Sequence, residues 1–314
     1  MNRCLICYQF LPDGTNEYHK SCSKSLFGQP LPPEMPYSFA DLESLAREVI
    51  QSQTSVTGVQ AKLSLHITAG EQDSTQKRFT LVGLWGGYIL KPPSAMYPQL
   101  PEVEDLTMHL AQIAKIKTAP HGLLRMKSGH LAYLTKRMDR VRKKKLAMED
   151  MCQLTERLTE DKYHGSHEQI ARTILKYSVF PGLDVVNFFE LVLFSFITGN
   201  ADMHLKNFSL LYHGDIGLTL SPAYDLVNTK LVNPADKEEL ALTLNGKKNK
   251  IRKTDFEAAM KTFKIELKQQ ENIFHKMKKS WTAWVKFIDA SFLTADYKEQ
   301  YKAIIQERME RIYG

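Results

Sequence analysis

The sequence predicts an α+β chain of two lobes, a strand-rich first half followed by a mostly helical second half. Two observations carry this. Between Ala61 and Leu90 short apolar runs (LSLHI, FTLVGL, GGYILK) are split by polar or glycine turns, a pattern that belongs to strands. Beyond Asp139 the apolar spacing becomes helical, broken by two strand-like runs, FSLLY and IGLTLS.

The 314 residues suffice for two lobes. Apolar residues make up 43% and charged residues 25%, the balance of an ordinary globular protein. The longest apolar run, Val185 to Gly199, is interrupted by Asn187 and Glu190 and falls short of the roughly 18 residues of a membrane span, so it reads as a helix buried inside a lobe. No membrane association is expected. The first residues carry Arg3 but no apolar leader or cleavage site, which places the chain in the cytoplasm. In that reducing compartment the four cysteines are thiols or metal ligands rather than disulfides.

Three segments are expected: a Cys/His-containing stretch with a proline-rich connector (1–36), a strand-rich lobe (37–135) and a helical lobe (136–314). The connector, Gln29-Pro-Leu-Pro-Pro-Glu-Met-Pro36, cannot be helical. Ser38 caps a helix whose apolar face is Phe39, Leu42, Leu45, Val49 and Ile50, and a small-residue turn follows from Gln53 to Gly58. Pro92 and Pro93 end the third strand directly after Lys91. A helix is predicted from about Glu102 to Ile116, with Val103, Leu106, Leu110 and Ile113 on one side. Strands around GLLRM and HLAYLTKRM complete the first lobe.

The chemistry concentrates in Asn200-Ala-Asp202-Met-His204-Leu-Lys206-Asn207, a polar loop between an apolar helix and a strand. Asp202 and Asn207 have the Asp-x₄-Asn spacing of a phosphotransferase catalytic loop, in which the Asp orients or deprotonates a hydroxyl and the Asn holds Mg²⁺. Lys206 could neutralise charge on a transferred phosphoryl group. Eighteen residues beyond Asn207 comes Asp225, within SPAYDLVN, placed as a second metal ligand. Any one of these acids could instead cap a turn; together they complement one another. Lys91, at the end of an apolar strand, could reach nucleotide phosphates, and Glu104 on the next helix could pair with it or remain a surface charge. Gly58, Val59 and Gln60 lie in a small-residue loop whose N–H groups could cradle phosphates or simply make a tight turn.

Strands with one helix, followed by a helical lobe, is also the order of a bilobal kinase with ATP between its lobes. SVTGVQAKLSL, YILKPP, EVEDLTMHLA, TKRMDR, MEDMCQL, GNADMHLKNFSLL and LSPAYDLVNT resemble, in order and spacing, the HipA kinase family over about residues 50 to 310. The resemblance implies a bilobal protein-kinase-like HipA fold and an ATP- and Mg²⁺-dependent serine/threonine kinase. Asp202 would be its catalytic base, Asn207 and Asp225 the Mg²⁺ ligands, and Lys91 the ATP-phosphate lysine. His204 would line the nucleotide site, and Lys136, Arg137 and Met138 would form the hinge beside adenine. Glu149, Asp150 and Gln153 match an acidic element of structural or peripheral role. Members autophosphorylate in the loop that Ser55 to Lys62 resembles, where Ser55 and Thr57 are the matching hydroxyls. They are toxins that phosphorylate an aminoacyl-tRNA synthetase and are restrained by antitoxins. The short stretch before the loop resembles HipT, which works with a small HipS protein and a DNA-binding HipB, so that DNA is met only through the HipB-like partner. The acidic helix departs from the family by reading EVE where ENE is frequent, at Val103.

Two other readings compete. Asp-x-His-x₂-Asn also resembles the loop of aminoglycoside, choline and lipid kinases, whose substrate is a small alcohol. A nucleic-acid-binding module would use the net charge of +7 and the basic clusters at Arg137, Arg140 and 142–145, and at Lys247 to Lys253; those clusters also suit solvated loops. At the other end of the chain, Cys4-x₂-Cys7 and His19-x₂-Cys22 have the spacing of a four-ligand Zn²⁺ knuckle, with eleven residues between the pairs. They equally fit small residues packed against the first lobe.

Overall fold

The computed structural model describes residues 2–15, 17–42, 44, 62–70, 76–82, 85–141 and 144–314. These fall into two compact units: Met1–Asp105 with Ala119–Met138 and Ala290–Phe292, and Leu106–Thr118 with Asp139–Asp289 and Leu293–Gly314.

The first unit is built on a five-stranded antiparallel sheet. Its strands are β1 (Leu63–Ala69), β2 (Lys77–Leu81), β3 (Tyr88–Lys91), β4 (His121–Arg125) and β5 (Leu131–Lys136), in the order β2-β1-β3-β5-β4. Alternation shows in β1, where Leu63 and Leu65 are buried, Ser64 between them is half-buried and His66 is exposed. The turn into β3 needs Gly86, because a Cβ there would lie 2.6 Å from the Leu65 carbonyl oxygen. Helix α1 (Lys20–Phe27) packs on this sheet through Phe27, whose ring centroid is 5.9 Å from Phe79 of β2, itself 5.6 Å from Tyr88 of β3. The Cys/His stretch therefore belongs to the first unit. Of the helix expected after Ser38, the described residues 39–42 and 44 are helical, and Ser38 Oγ accepts the Asp41 N–H as predicted for a cap.

The helix predicted over 102–116 runs as α2 (Leu100–Ile113). It stops early because Lys115 turns left-handed (φ 60°) and Ile116 N–H reaches back to the Ala111 carbonyl, closing the helix without a glycine.

The second unit is mostly helical. After two short hairpin strands, β6 (Arg140–Val141) and β7 (Lys144–Lys145), β8 (Met148–Asp150) leads into α3 (Met151–Leu154). Helices α4 (His167–Tyr177) and α5 (Pro181–Ile197) follow, then β9 (Ser209–Tyr212) and β10 (Leu218–Leu220), which with β8 form a three-stranded sheet of order β10-β9-β8. The chain ends in α6 (Thr229–Val232), α7 (Lys253–Thr262), α8 (Leu267–Ala290) and α9 (Ala295–Tyr313). The apolar run read as a buried helix is α5, with Phe188, Phe189, Phe194 and Phe196 fully enclosed. Trp284 of α8 packs edge-on against Phe194 and donates its indole N–H to the Leu110 carbonyl at 2.8 Å, so its one polar atom is satisfied inside the core. No described helix is long and apolar enough to cross a membrane.

Candidate active site

Helix α5 delivers the polar loop. It ends in a paired motif, Asn200 N–H to the Ser195 carbonyl and Gly199 N–H to the Phe196 carbonyl, with Gly199 left-handed at φ 71°. A side chain at Gly199 is excluded twice over, because its Cβ would also lie 2.7 Å from Asn228 Oδ1. The chain then turns through residues 200–204 into a single 3₁₀ turn, Leu205–Asn207, and enters β9. Apolar Met203, Leu205 and Phe208 are buried and anchor the loop, leaving Asp202 and Lys206 partly exposed between them.

Asp202 is held from several sides. Its amide donates to Asn200 Oδ1 (3.2 Å), its carbonyl accepts the Asn207 Nδ2–H (2.9 Å), and its carboxylate Oδ1 accepts the Tyr163 hydroxyl (2.7 Å). Burial, reinforced by the Asp202 charge, pushes the Tyr163 phenol above its ordinary value, so it stays a proton donor to the carboxylate. The bond from Asn207 has a second effect. A carbonyl accepts only a donor, so Nδ2 is committed and Oδ1 is the atom that amide can offer to a cation.

His204 is buried, packs edge-on on Tyr163 at 5.1 Å, and its Nδ1 has no partner among the described residues. Burial holds its imidazole below the ordinary value, opposed by the charges of Asp202 and Asp225. A neutral ring with an unsatisfied nitrogen in this loop fits a polar ligand.

Lys206 is engaged in the protein itself, its Nζ lying 2.7 Å from Asp150 Oδ2. Asp150 also caps α3, accepting the Gln153 N–H while Gln153 Oε1 accepts the Asp150 N–H. The acidic element expected to be structural or peripheral to the site is a capping box whose other carboxylate oxygen reaches the loop.

The segment bearing Asp225 is tied to the same loop. Thr229 Oγ1 accepts the Ala201 N–H at 2.8 Å and donates to the Gly199 carbonyl, and Asn228, fully buried, caps α6 through the Leu231 N–H. Tyr224 donates its hydroxyl to the Lys206 carbonyl at 2.9 Å. Asp225 itself takes a left-handed conformation, φ 59°, which a non-glycine residue adopts only where its surroundings impose it. The two motifs that spacing nominated are therefore one structure. The carboxylate of Asp225 and the amide oxygen of Asn207 are hard oxygen donors, the set that suits Mg²⁺.

In the first unit Lys91 and Glu104 form an ion pair at 2.5 Å, both almost fully buried (3% and 1% exposed), with the ammonium also 5.5 Å from the Tyr133 ring centre. The register sets this up: Lys91 is paired with Tyr133 across β3 and β5. Lys136 ends β5, and the next residue, Arg137, donates its N–H to the Gly87 carbonyl before the unit closes at Met138. Ser55, Thr57, Gly58, Val59 and Gln60 lie outside the described residues. Tyr163 and Asp150 are the members that sequence reasoning missed or set aside.

The second basic cluster is partly neutralised internally, Lys247 by Asp255 at 2.8 Å and Lys248 by Glu238 at 3.2 Å, which weakens it as a phosphate-binding face.

A strand-rich unit with a buried lysine–glutamate pair and a helical unit with this Asp/Asn loop define a protein-kinase-like fold. The chain belongs to the HipA-like C-terminal domain family, which matches residues 54–285. A Haemophilus influenzae protein named "Putative kinase" is 29% identical over 62% of this chain and 58% of its own length. A Sinorhizobium fredii protein, "Putative kinase Y4mE", is 32% identical over 56% of this chain and 42% of its own length. The chain thus matches less than two thirds of either relative. Among solved structures, Shewanella oneidensis HipA, determined with HipB and its operator DNA, superposes with a TM-score of 0.70 at 20% identity, covering 96% of this chain and 74% of that one. The Helicobacter pylori proinflammatory kinase CtkA superposes at 0.53 with 16% identity, covering 74% of this chain and 88% of that one. These two likenesses concern the fold.

Proposed function

We propose that this chain is an ATP- and Mg²⁺-dependent serine/threonine protein kinase acting in the cytoplasm as the toxin of a toxin–antitoxin system. The observation that carries the reading is the Asp202 carboxylate, oriented on one oxygen by Tyr163 and flanked by an Asn207 amide whose oxygen is the atom available to a cation. In this reading the hydroxyl of a serine or threonine gives its proton to Asp202 as its oxygen bonds to the γ-phosphorus, and the bond from that phosphorus to the bridging oxygen of ADP breaks. Asn207 and Asp225 would hold Mg²⁺, which would supply charge neutralisation at the phosphates. Lys91, fixed by Glu104, provides a cation for the nucleotide, and Lys206 provides another near the transferred group.

The fold shared with a HipA determined alongside HipB and DNA supports a HipB-like antitoxin as partner, with DNA met only through it. A HipS-like small protein as second antitoxin, an aminoacyl-tRNA synthetase as substrate, and self-phosphorylation at Ser55 or Thr57 complete the proposal. Incubating the protein with γ-labelled ATP and Mg²⁺ tests it. Label is expected on the chain at Ser55 or Thr57, lost in Asp202→Ala. Label on a small alcohol and none on protein would move the reading to a small-molecule kinase.

A further inference from the structure

The kinase reading leaves the first thirty residues unused, although they carry three of the four cysteines. Their fold brings four donors to one point. Residues 2–11 form a tight hairpin, with Arg3 bridged to Phe10, the Cys4 N–H on the Gln9 carbonyl and the Tyr8 N–H on the Cys4 carbonyl. Tyr8, directly after Cys7, is left-handed at φ 63°, and this lets the turn fold back. The chain returns at His19, which precedes α1, and Cys22 is the third residue of that helix.

Cys4, Cys7, His19 and Cys22 each offer a ligand atom, and these atoms all lie within 4.8 Å of one another. In a tetrahedral site with Zn–S of about 2.3 Å and Zn–N of about 2.0–2.1 Å, a sulfur and a nitrogen stand about 3.6 Å apart. The distances from His19 Nδ1 are 3.3 Å to Cys7 Sγ and 3.8 Å to Cys22 Sγ. The far ring nitrogen, Nε2, lies 3.1 Å from the Phe10 carbonyl oxygen. A carbonyl only accepts, so Nε2 carries the proton and Nδ1 presents its lone pair inward, the support that ligating imidazoles receive. Burial separates this arrangement from simple packing. A cysteine used as a small apolar residue is enclosed, as Cys152 is, whereas Cys7, His19 and Cys22 are only half-buried and yet converge. All four cysteines are free thiols, so no disulfide holds the hairpin to the helix.

We infer that Cys4, Cys7, His19 and Cys22 bind one structural Zn²⁺ ion, which locks the hairpin to α1. Four protein ligands leave no open position, so the site is structural rather than catalytic. The locked segment has a definite task within the first unit. Tyr8 donates to Asp105 Oδ2 at 2.8 Å, Asp105 Oδ1 lies 2.7 Å from His121 Nδ1, and Asp105 adjoins Glu104 on α2. The Leu5 carbonyl accepts the Leu123 N–H, joining the hairpin to β4.

The test is metal analysis of the full chain purified without chelator, by inductively coupled plasma mass spectrometry. One zinc per chain is expected in the wild type, in Cys152→Ala and in Asp202→Ala, and less than a tenth of that, roughly, in Cys7→Ser/Cys22→Ser, since two of four ligands are gone. Replacement by Co²⁺ in the wild type should give the intense visible bands of a tetrahedral ion with thiolate-to-metal charge transfer, a readout that does not depend on the double variant folding. Folded wild-type protein that retains no zinc and gives only the pale spectrum of hexa-aqua cobalt would overturn the site. So would full zinc in a folded double variant. Because Asp202→Ala keeps its zinc whether or not it transfers phosphate, failure of the kinase reading and failure of the zinc site are separable.

Discussion

The two lysines assigned to phosphate chemistry sit in ion pairs of nearly equal length and unlike setting. Lys91 and Glu104 are 2.5 Å apart with side chains 4% and 1% exposed; Lys206 and Asp150 are 2.7 Å apart with side chains 35% and 14% exposed. Distance alone would rank them together, but solvent does not. A charge sealed from water depends on its partner, because no hydration replaces the contact once it is broken. A pair at the edge of solvent is screened, and either member can exchange it for water or another ion at little cost. Lys91 is therefore a fixed part of the first unit's interior, while Lys206 can leave Asp150 for an incoming phosphate.

The sharpest way to break this contrast is to remove one carboxylate from each pair. Glu104→Ala should lower the stability of the protein by about 3–5 kcal/mol, since it removes the carboxylate that faces a buried ammonium. Asp150→Asn should cost about 1 kcal/mol or less through the pair, as its cap to Gln153 survives. Urea unfolding of the two variants reads both, and equal losses would erase the distinction.

A buried imidazole with no hydrogen-bond partner among the described residues extends the comparison. His167 is fully enclosed between Phe188 and Phe208, neither ring nitrogen has a partner among the described residues, and burial drives its imidazole down to about 3. Above pH 6.5 the ring is neutral whether folded or unfolded, and its neutral burial is undisturbed. As the pH falls below 6.5 the unfolded chain takes up a proton that the native state refuses, so stability declines by roughly 1.4 kcal/mol per pH unit toward pH 3. His167→Phe should remove that share of the acid limb. The difference between wild type and variant is cleanest between pH 6.5 and 5, before most carboxylates titrate, and parallel curves in that interval would contradict the assignment.

Tyr163→Phe comes next. It removes the hydroxyl that orients Asp202 and should lower turnover about tenfold, the scale of one hydrogen bond to a charged group, while leaving nucleotide affinity alone. Lys206→Ala should change stability least, by less than about 1 kcal/mol, and act on turnover instead.

Much of this was legible in the sequence, and the reason differs by residue. The strands were readable because alternation is local, and Lys91 because two prolines mark where its strand must stop. Asp202, Asn207 and Asp225 were nominated by spacing, and the stretch from Gly199 to Thr229 that carries them folds on itself through the hydrogen bonds of Asn228 and Thr229. Tyr163 was not, because its partner lies 39 positions away and a tyrosine in a polar loop resembles any other. Asp150 and Lys206 are 56 positions apart, so spacing could not join them, and Asp150 was matched only to an acidic element of structural or peripheral role. The Lys91 and Glu104 pair was nominated, but an acid on a helix is ordinarily a surface charge; only burial distinguishes this one.

The most direct measurement compares Asp202→Asn with Asp225→Asn for MgATP binding by calorimetry and for phosphate transfer in a single-turnover assay. Asp202→Asn should bind MgATP as the wild type does and transfer phosphate about 10²–10⁴-fold more slowly, whereas Asp225→Asn should lose the Mg²⁺-dependent part of binding. Transfer by Asp202→Asn at the wild-type rate would contradict the account at its centre.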